Sequence, residues 1–166
     1  HPFVCPDMIG GGNWKAFTLF SGATFDPELF VRSAQAHALS PMMQFSAAPW
    51  RVLDKEHLEA VRAAAWTRMK FVDRILDLAK ECAITGEPML RNMEYNYPHC
   101  GWEKAKAQFM MGDFLIVAPQ VEKGAEEKQV ILPPGQWRAD DGAIYEGPCT
   151  ILISTPLARL PYFEKI

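Results

Sequence analysis

The sequence has little that is typical of membrane proteins or of nucleic-acid-binding proteins. Its 17 Lys and Arg residues are outnumbered by 20 Asp and Glu residues, which leaves a net charge of −3 and no excess of positive charge to hold phosphates. No apolar run reaches the roughly 20 residues that a membrane-spanning helix needs. The other proportions, 49% hydrophobic and 22% charged, are typical of a globular domain. We therefore expect no nucleic-acid partner and no transmembrane segment in this chain.

Metal-binding and disulfide patterns are also missing. The chain has four cysteines, and they are widely spaced: Cys5, Cys82, Cys100 and Cys149. No C-x-x-C pair occurs, and the four histidines do not supply a matching ligand spacing. The sequence therefore favours free thiols over disulfides or a metal site. It predicts no cofactor, and the free thiols weakly favour a reducing, cytoplasmic compartment.

The first half of the chain alternates strand-like and helix-like segments. The apolar segment His1–Pro6 runs into Gly10–Gly12, which predicts a strand followed by a surface loop up to Phe25. A helix is then predicted to begin at Asp26, because an N-cap aspartate, a proline and a first-turn glutamate follow one another. Ser40–Pro41 ends it.

A second strand and a longer helix follow. Met42–Ser46 is short enough for a barrel strand, and residues 47–50 form a turn that leads out of it. Asp54 predicts the start of a long helix, Gly86 its C-terminal cap, and Pro88 prevents its continuation. The apolar residues expected on one broad face of this helix are Leu58, Val61, Ala65, Val72, Ile75 and Ala79.

After Pro88 the pattern becomes that of short strands and turns. The predicted strands are Met89–Tyr95, Asp113–Ala118, Gln129–Leu132 and Thr150–Ser154. The predicted turns are Pro133–Gly135, Asp140–Gly142 and Glu146–Pro148. Short strands separated by such turns are typical of an antiparallel sandwich or barrel. We place a domain boundary near Glu87.

Candidate functional side chains lie where the first two predicted strands end. If these strands are parallel, their carboxyl ends form the face of a barrel that carries function. Asp7 could accept hydrogen bonds from sugar hydroxyls, or it could bond amides in its own glycine turn. Gln44 and Ser46 could orient hydroxyls, and Trp50 could stack on a sugar ring or pack in a core. His37, between two alanines of the first helix, is interpreted as a packing residue.

Five segments, in one consistent order, carry a resemblance to an enzyme family. His1–Gly11 resembles a motif with an aromatic residue, a short gap and then Asp-Ile-Gly-Gly, and Glu28–Arg32 resembles the helix that follows it. Gly86–Arg91, Gln108–Asp113 and Leu132–Trp137 resemble the β-domain that comes after the barrel. These motifs are those of glycoside hydrolase family 31, and the resemblance spans nearly the whole chain.

This resemblance implies both a fold and a mechanism. The fold is α/β plus all-β: the C-terminal fragment of a (β/α)8 TIM barrel (strands 7–8 and helices 7–8) over residues 1–87, then an antiparallel β-sandwich over residues 88–166. The mechanism is that of a retaining α-glycosidase, whose Asp nucleophile follows strand four and whose acid/base Asp follows strand six. Both would precede His1, so we expect a missing upstream portion and no catalytic residue in this chain. Asp140 and Asp141 lie in a turn and form no acid/base pair.

The second strand differs from the family pattern. Many α-glucosidases of the family end strand eight with Arg-Asn-His, whereas this chain has Gln44 in the position of the Arg and Ser46 in that of the His. This resembles a branch of the family with α-galactosides as well as α-glucosides as substrates. The expected partner is therefore an oligosaccharide or glycoconjugate with a terminal α-linked galactosyl or glucosyl residue, bound by Asp7, Gln44, Ser46 and Trp50. An oligomer is possible.

Two alternatives remain open. The chain could be a non-catalytic carbohydrate-binding or interaction module derived from such an enzyme, since no acid/base pair is visible. It could also be a damaged gene product, because two parallel strands with unpaired edges are prone to aggregate.

Overall fold

The computed structural model describes residues 2–11, 24–103 and 105–166. His1, Gly12 and most of the surface loop expected before Phe25 lie outside these residues. The elements, in chain order, are α1 (Pro27–Ala38), α2 (Pro49–Val52), α3 (Lys55–Thr85), β1 (Leu90–Arg91), α4 (Met93–Asn96), β2 (Phe109–Met111), β3 (Leu115–Val117), β4 (Glu127–Ala139), β5 (Ile144–Ser154) and β6 (Tyr162–Lys165).

Both long helices begin and end where the capping residues predicted. The Asp26 carboxylate accepts a hydrogen bond from the backbone N–H of Leu29 at the start of α1, at 3.1 Å. Asp54 accepts one from the backbone N–H of His57 at the start of α3, at 3.0 Å. Gly86 ends α3 with φ at +78°, a conformation that glycine adopts without the steric cost of a Cβ.

Helix α3 connects the two halves of the molecule. Its first half contacts α1 and its second half packs on the sheet; its buried residues are Ala60, Val61, Ala64, Phe71, Ile75, Leu78 and Cys82. At 31 residues it is about 46 Å long. Across the described part of the chain, no helix combines the length and the apolar character needed to cross a membrane.

Of the two strands predicted in the first half, the described residues of His1–Pro6 form none, which makes that prediction wrong, and Met42–Ser46 pairs at a single residue. Ile9 and Phe45 form a parallel bridge, in which Ile9 donates to the Gln44 carbonyl and accepts from the Ser46 N–H, each at 2.9 Å. Among the described residues neither segment has another strand beside it. Since a pair of strands alone is only marginally stable, longer pairing does not develop.

The second half forms one six-stranded sheet in the order β1-β2-β3-β6-β4-β5, with every pair antiparallel. The predicted antiparallel β-structure is thereby confirmed. The long β4–β5 hairpin folds over the sheet, so that Val130 shares a core with Met110. The Gln108 side chain bonds both backbone groups of Ile131, at 2.8 and 2.9 Å, and the buried Lys128 ammonium donates to two backbone carbonyls.

Three predicted segments of this half differ from the structure, and the strands β2 and β6 were not predicted. Met89–Tyr95 contains only the two residues of β1 before α4 begins at Met93. The predicted turns at Pro133–Gly135 and Glu146–Pro148 lie inside β4 and β5, where the register shifts between Leu132 and Gly135. A Cβ at Gly147 would overlap the Pro133 carbonyl. The glycine there therefore permits a close approach of two strands rather than a chain reversal.

Polar side chains of α1 attach this helix to the sheet. Arg32 donates to the carbonyl of Thr155 at 3.0 Å, and Gln35 donates to that of Leu157 at 2.7 Å. At the beginning of the helix, Lys123 contacts Asp26 at 2.6 Å. Helix α1 is thus held along its length by the segments that flank β4 and β5.

Arg68 of α3 holds the other end of α1. Its guanidinium donates to the carbonyls of Ala38, Ser40 and Pro41, at 3.0, 2.7 and 2.9 Å. The Ala38 carbonyl is one of those that the end of a helix leaves without partners, and Ser40 and Pro41 lie in the turn that follows α1. One side chain therefore fixes the turn that leads from α1 to the Gln44 segment.

We expect Arg68→Met to lower the free energy of unfolding by about 2–3 kcal/mol, because the substitution leaves several partly buried carbonyls without donors. Urea unfolding followed by circular dichroism measures this. The control is Arg51→Met, since Arg51 is exposed and its side chain makes no hydrogen bond to the described residues; we expect it to change stability by less than about 0.5 kcal/mol. Equal losses in the two variants would contradict the assigned role of Arg68.

Candidate functional site

Asp7 lies in a tight turn just before the glycines. Its Oδ1 accepts a hydrogen bond from the Met8 N–H at 2.8 Å, and the Gly11 N–H closes the turn on the Met8 carbonyl at 2.8 Å. A Cβ at Gly11 would lie 2.8 Å from that carbonyl and 3.4 Å from Asp7 Oδ1. The turn therefore has no room for a side chain at position 11. The second carboxylate oxygen of Asp7 makes no hydrogen bond to the described residues.

A cavity of about 310 Å³ separates this turn from α1, and Asp7, Phe25, Phe30, Ser33 and His37 lie in its wall. This volume is at the lower end of the range for small-molecule sites. The His37 Nδ1 is buried and has no hydrogen-bond partner among the described residues. Burial lowers the pKa of His37, while the negative charge of Asp7 opposes that decrease.

Gln44 and Ser46 lie on a different surface from this cavity. They flank Phe45, whose ring stacks on Phe30 of α1 with the centroids 6.1 Å apart. Because side chains alternate along an extended segment, Gln44 and Ser46 point away from α1. The Gln44 amide lies 3.6 Å from the Cys5 sulfur, and the Ser46 hydroxyl donates to the Ile9 carbonyl at 3.3 Å.

Trp50 lies in the first turn of α2 and is 72% exposed. It lines none of the described cavities. Its indole is free to stack on a ligand, whereas the adjacent Pro49 is buried and anchors the short helix.

The structure thus divides the four predicted site residues between two surfaces. Asp7 faces the cavity beside α1, while Gln44, Ser46 and Trp50 are exposed outside it. The sequence interpretation missed that His37 belongs to the cavity. The signal was its position four residues after Ser33 and seven after Phe30, which places all three on one face of a helix.

No two carboxylates form a catalytic pair among the described residues around this cavity. Asp26 also lies in the cavity wall, but it caps α1 and contacts Lys123, whose hydrogen bond is the main reason that the pKa of Asp26 is lowered. Asp140 and Asp141 are both held by Arg159, at 2.8 and 2.9 Å, as structural partners. In the residues that are described, no group of three or more His, Cys, Asp or Glu side chains could hold a metal.

Comparison with known proteins shows which sequences and structures this chain is similar to. Residues 86–165 match the family model described as Glycosyl hydrolase family 31 C-terminal domain. The chain is 36% identical to the myogenesis-regulating glycosidase of Mus musculus over 98% of its own length, and 31% identical to the SITS-binding protein of Tetronarce californica over 95%. It spans 24% and 22% of those two proteins. The cycloalternan-forming enzyme from Listeria monocytogenes, solved with a pentasaccharide substrate, superposes with a TM-score of 0.81 at 32% identity, over 88% of this chain and 15% of that one.

We expect Asp7→Asn to lower the pKa of His37 further, because it removes the charge that favours the imidazolium form. The measurement is an NMR titration of the His37 ring protons. Asp113→Asn is the control, since Asp113 is exposed and lies in the loop between β2 and β3; it should leave the titration unchanged. A His37 pKa that stays the same or rises in Asp7→Asn would show that the carboxylate does not act on the imidazole.

Proposed function

The chain belongs to glycoside hydrolase family 31, and we propose that it forms the end of the catalytic barrel and the following β-sandwich of a retaining α-glycosidase. The barrel part is residues 1–87 and the sandwich part is residues 88–166. The parallel bridge between Ile9 and Phe45 is the observation that carries this proposal. Adjacent parallel strands, each followed by a helix, are the repeating unit of a (β/α)8 barrel.

The packing around the bridge supports the barrel interpretation. Ile9 and Phe45 join Phe30, Val31 and Val61 in a single apolar cluster. Helices α1 and α3 therefore both lie on one side of the paired segments. In a barrel that is the outer side, and the opposite side faces the barrel axis.

The sugar pocket is proposed at the ends of the paired segments. The Gln44 amide and the Ser46 hydroxyl are exposed on the side away from α1, where they would bond sugar hydroxyls. Trp50 would stack on a sugar face. Asp7, on the other surface beside the α1 cavity, would accept a hydrogen bond from a further sugar hydroxyl through its second oxygen, from the turn that Gly11 keeps tight.

The two catalytic aspartates are proposed to come from a part of the enzyme outside this chain. The one other acidic residue in the wall of the Asp7 cavity, within the described ranges, is Asp26, and it serves as a helix cap. In the double displacement, one aspartate attacks the anomeric carbon, and the other protonates the leaving oxygen and then activates water. The substrate is proposed to carry a terminal α-galactosyl or α-glucosyl residue, because Ser46 replaces the histidine of many α-glucosidases.

We expect the purified 166-residue chain to hydrolyse neither 4-nitrophenyl α-galactoside nor 4-nitrophenyl α-glucoside, because its described residues form no acid/base pair around the cavity. Absorbance of the released nitrophenolate measures turnover. The gene is then read in frame upstream of the His1 codon and the complete frame is expressed; it should cleave at least one of the two substrates and retain the anomeric configuration in NMR spectra.

Two results would contradict this function. Turnover by the chain alone would place the acid/base pair within it. A complete frame that is folded but inactive on both glycosides would contradict the proposed substrates, and inversion of the configuration would exclude the retaining mechanism. Substitution of each candidate aspartate by Asn in the complete enzyme should reduce kcat by about 10³-fold or more.

A carbohydrate-binding module without catalysis is the second candidate. It is favoured by the missing carboxylate pair among the described residues and by the likeness to a protein whose name describes binding rather than hydrolysis. It predicts that glucose or galactose shifts the Gln44 and Ser46 signals in NMR spectra of the chain, that Gln44→Ala weakens this binding, and that Ile144→Ala, on the distant β5, does not. Binding with no turnover by the complete frame would favour the module over the enzyme.

A further inference from the structure

Helix α3 has a second stripe of residues opposite to the buried one, with apolar side chains at four of its seven positions. The exposed positions recur at alternating spacings of four and three residues: Arg62, Trp66, Met69, Asp73, Leu76, Lys80 and Ala83. We call this set the outer seam. Such spacing is the heptad pattern of a helix that packs against another helix. The buried side of α3 has the same spacing through Phe71, Ile75, Leu78 and Cys82, so the helix has two seams.

The outer seam is exposed in this chain. Trp66, Met69 and Leu76 have 64%, 57% and 53% of their surface accessible, and the neighbouring Ile84 has 85%. A helix at the surface of a globular protein usually has one apolar stripe, which faces the core. Large apolar side chains along a second stripe are typical of a contact surface.

We propose that the outer seam pairs with the outer seam of a second copy of this chain, with the two helices antiparallel. A pairing centred between Arg74 and Ile75 places Trp66 opposite Ala83 of the second copy, and Asp73 opposite Leu76. A large side chain then meets a small one at each end of the contact. The seam from Arg62 to Ala83 is about 31 Å long, or three heptads.

The charged residues of α3 favour an antiparallel over a parallel orientation of the two paired helices. In a parallel pair, Asp73 would face Asp73 and Lys80 would face Lys80, and like charges at core positions repel. In the antiparallel pair, Asp73 lies one turn from Lys80 of the second copy, and Lys70 lies near Asp77. Lys80 and Asp77 now contact each other on the surface of α3, at 3.1 Å with both side chains mostly exposed. Because that exposed pair contributes little, both residues are available for the second copy.

Sedimentation of the protein expressed from the complete reading frame, over a wide concentration range, tests the pairing. We expect reversible dimers, and we expect Leu76→Glu to abolish them by placing two carboxylates near the centre of the contact. The matched control is Leu152→Glu, because Leu152 is 61% exposed on β5, away from α3; it should dimerise like the unaltered chain. Circular dichroism checks that every variant is folded.

A charge exchange tests the register. Asp73→Lys alone or Lys80→Asp alone brings like charges together across the contact and should weaken dimerisation about tenfold. The double variant Asp73→Lys/Lys80→Asp restores opposite charges and should dimerise within about threefold of the unaltered chain.

A folded chain that stays monomeric at every concentration would overturn the proposal and leave the outer seam to another segment or protein. Failure of the double variant to recover would overturn the antiparallel register, and equal loss with Leu152→Glu would overturn the assignment of the contact to the outer seam. None of these outcomes depends on glycosidase activity.

Discussion

The two-sided packing of α3 is the constraint on which the rest of the structure depends. The residues around Val61 pack against α1, and the residues around Ile75 pack against the sheet. Each apolar side chain buried in this way contributes about 1.5–3 kcal/mol. Since the helix is continuous, its Arg68 also fixes the connection from α1 to the Gln44 segment. The orientation of the paired segments relative to the sheet is therefore set by one helix.

Polar groups then fix how α1 and the β4–β5 hairpin lie on the sheet, where apolar contacts alone would allow several arrangements. Apolar surfaces can slide past one another at modest cost, but a buried donor that loses its acceptor is penalised by about 1–3 kcal/mol. Arg32 and Gln35 of α1 donate to backbone carbonyls of the segment Thr155–Leu157. Gln108 likewise bonds both backbone groups of Ile131 and so fixes how the β4–β5 hairpin folds over the sheet.

The features that could be predicted from the sequence are those decided by neighbouring residues. Asp26, Asp54 and Gly86 cap helices through contacts three or four residues away, so the local sequence contains the whole cause. Pro133–Gly135 and Gly147–Pro148 contain turn-forming residues, but their conformation follows from pairing between β4 and β5, in which Gly135 lies opposite Gly147. A local sequence pattern does not include a partner 12 positions away. The Met42–Ser46 strand also depends on partners, and Ile9 is the one residue that bridges to it within the described ranges.

The candidate site shows the same distinction at the level of single side chains. The sequence located Asp7, Gln44 and Ser46 near one another, and the bridge does bring their segments together. The sequence could not show on which surface each side chain lies. Successive side chains of an extended segment point to opposite surfaces, and packing against one surface determines which of them point towards it. Phe45 packs on Phe30, and this contact turns Gln44 and Ser46 away from α1. Asp7 therefore lies on the opposite surface, beside the cavity that His37 also lines. The packing of Phe45 thus decides on which surface each of these side chains lies.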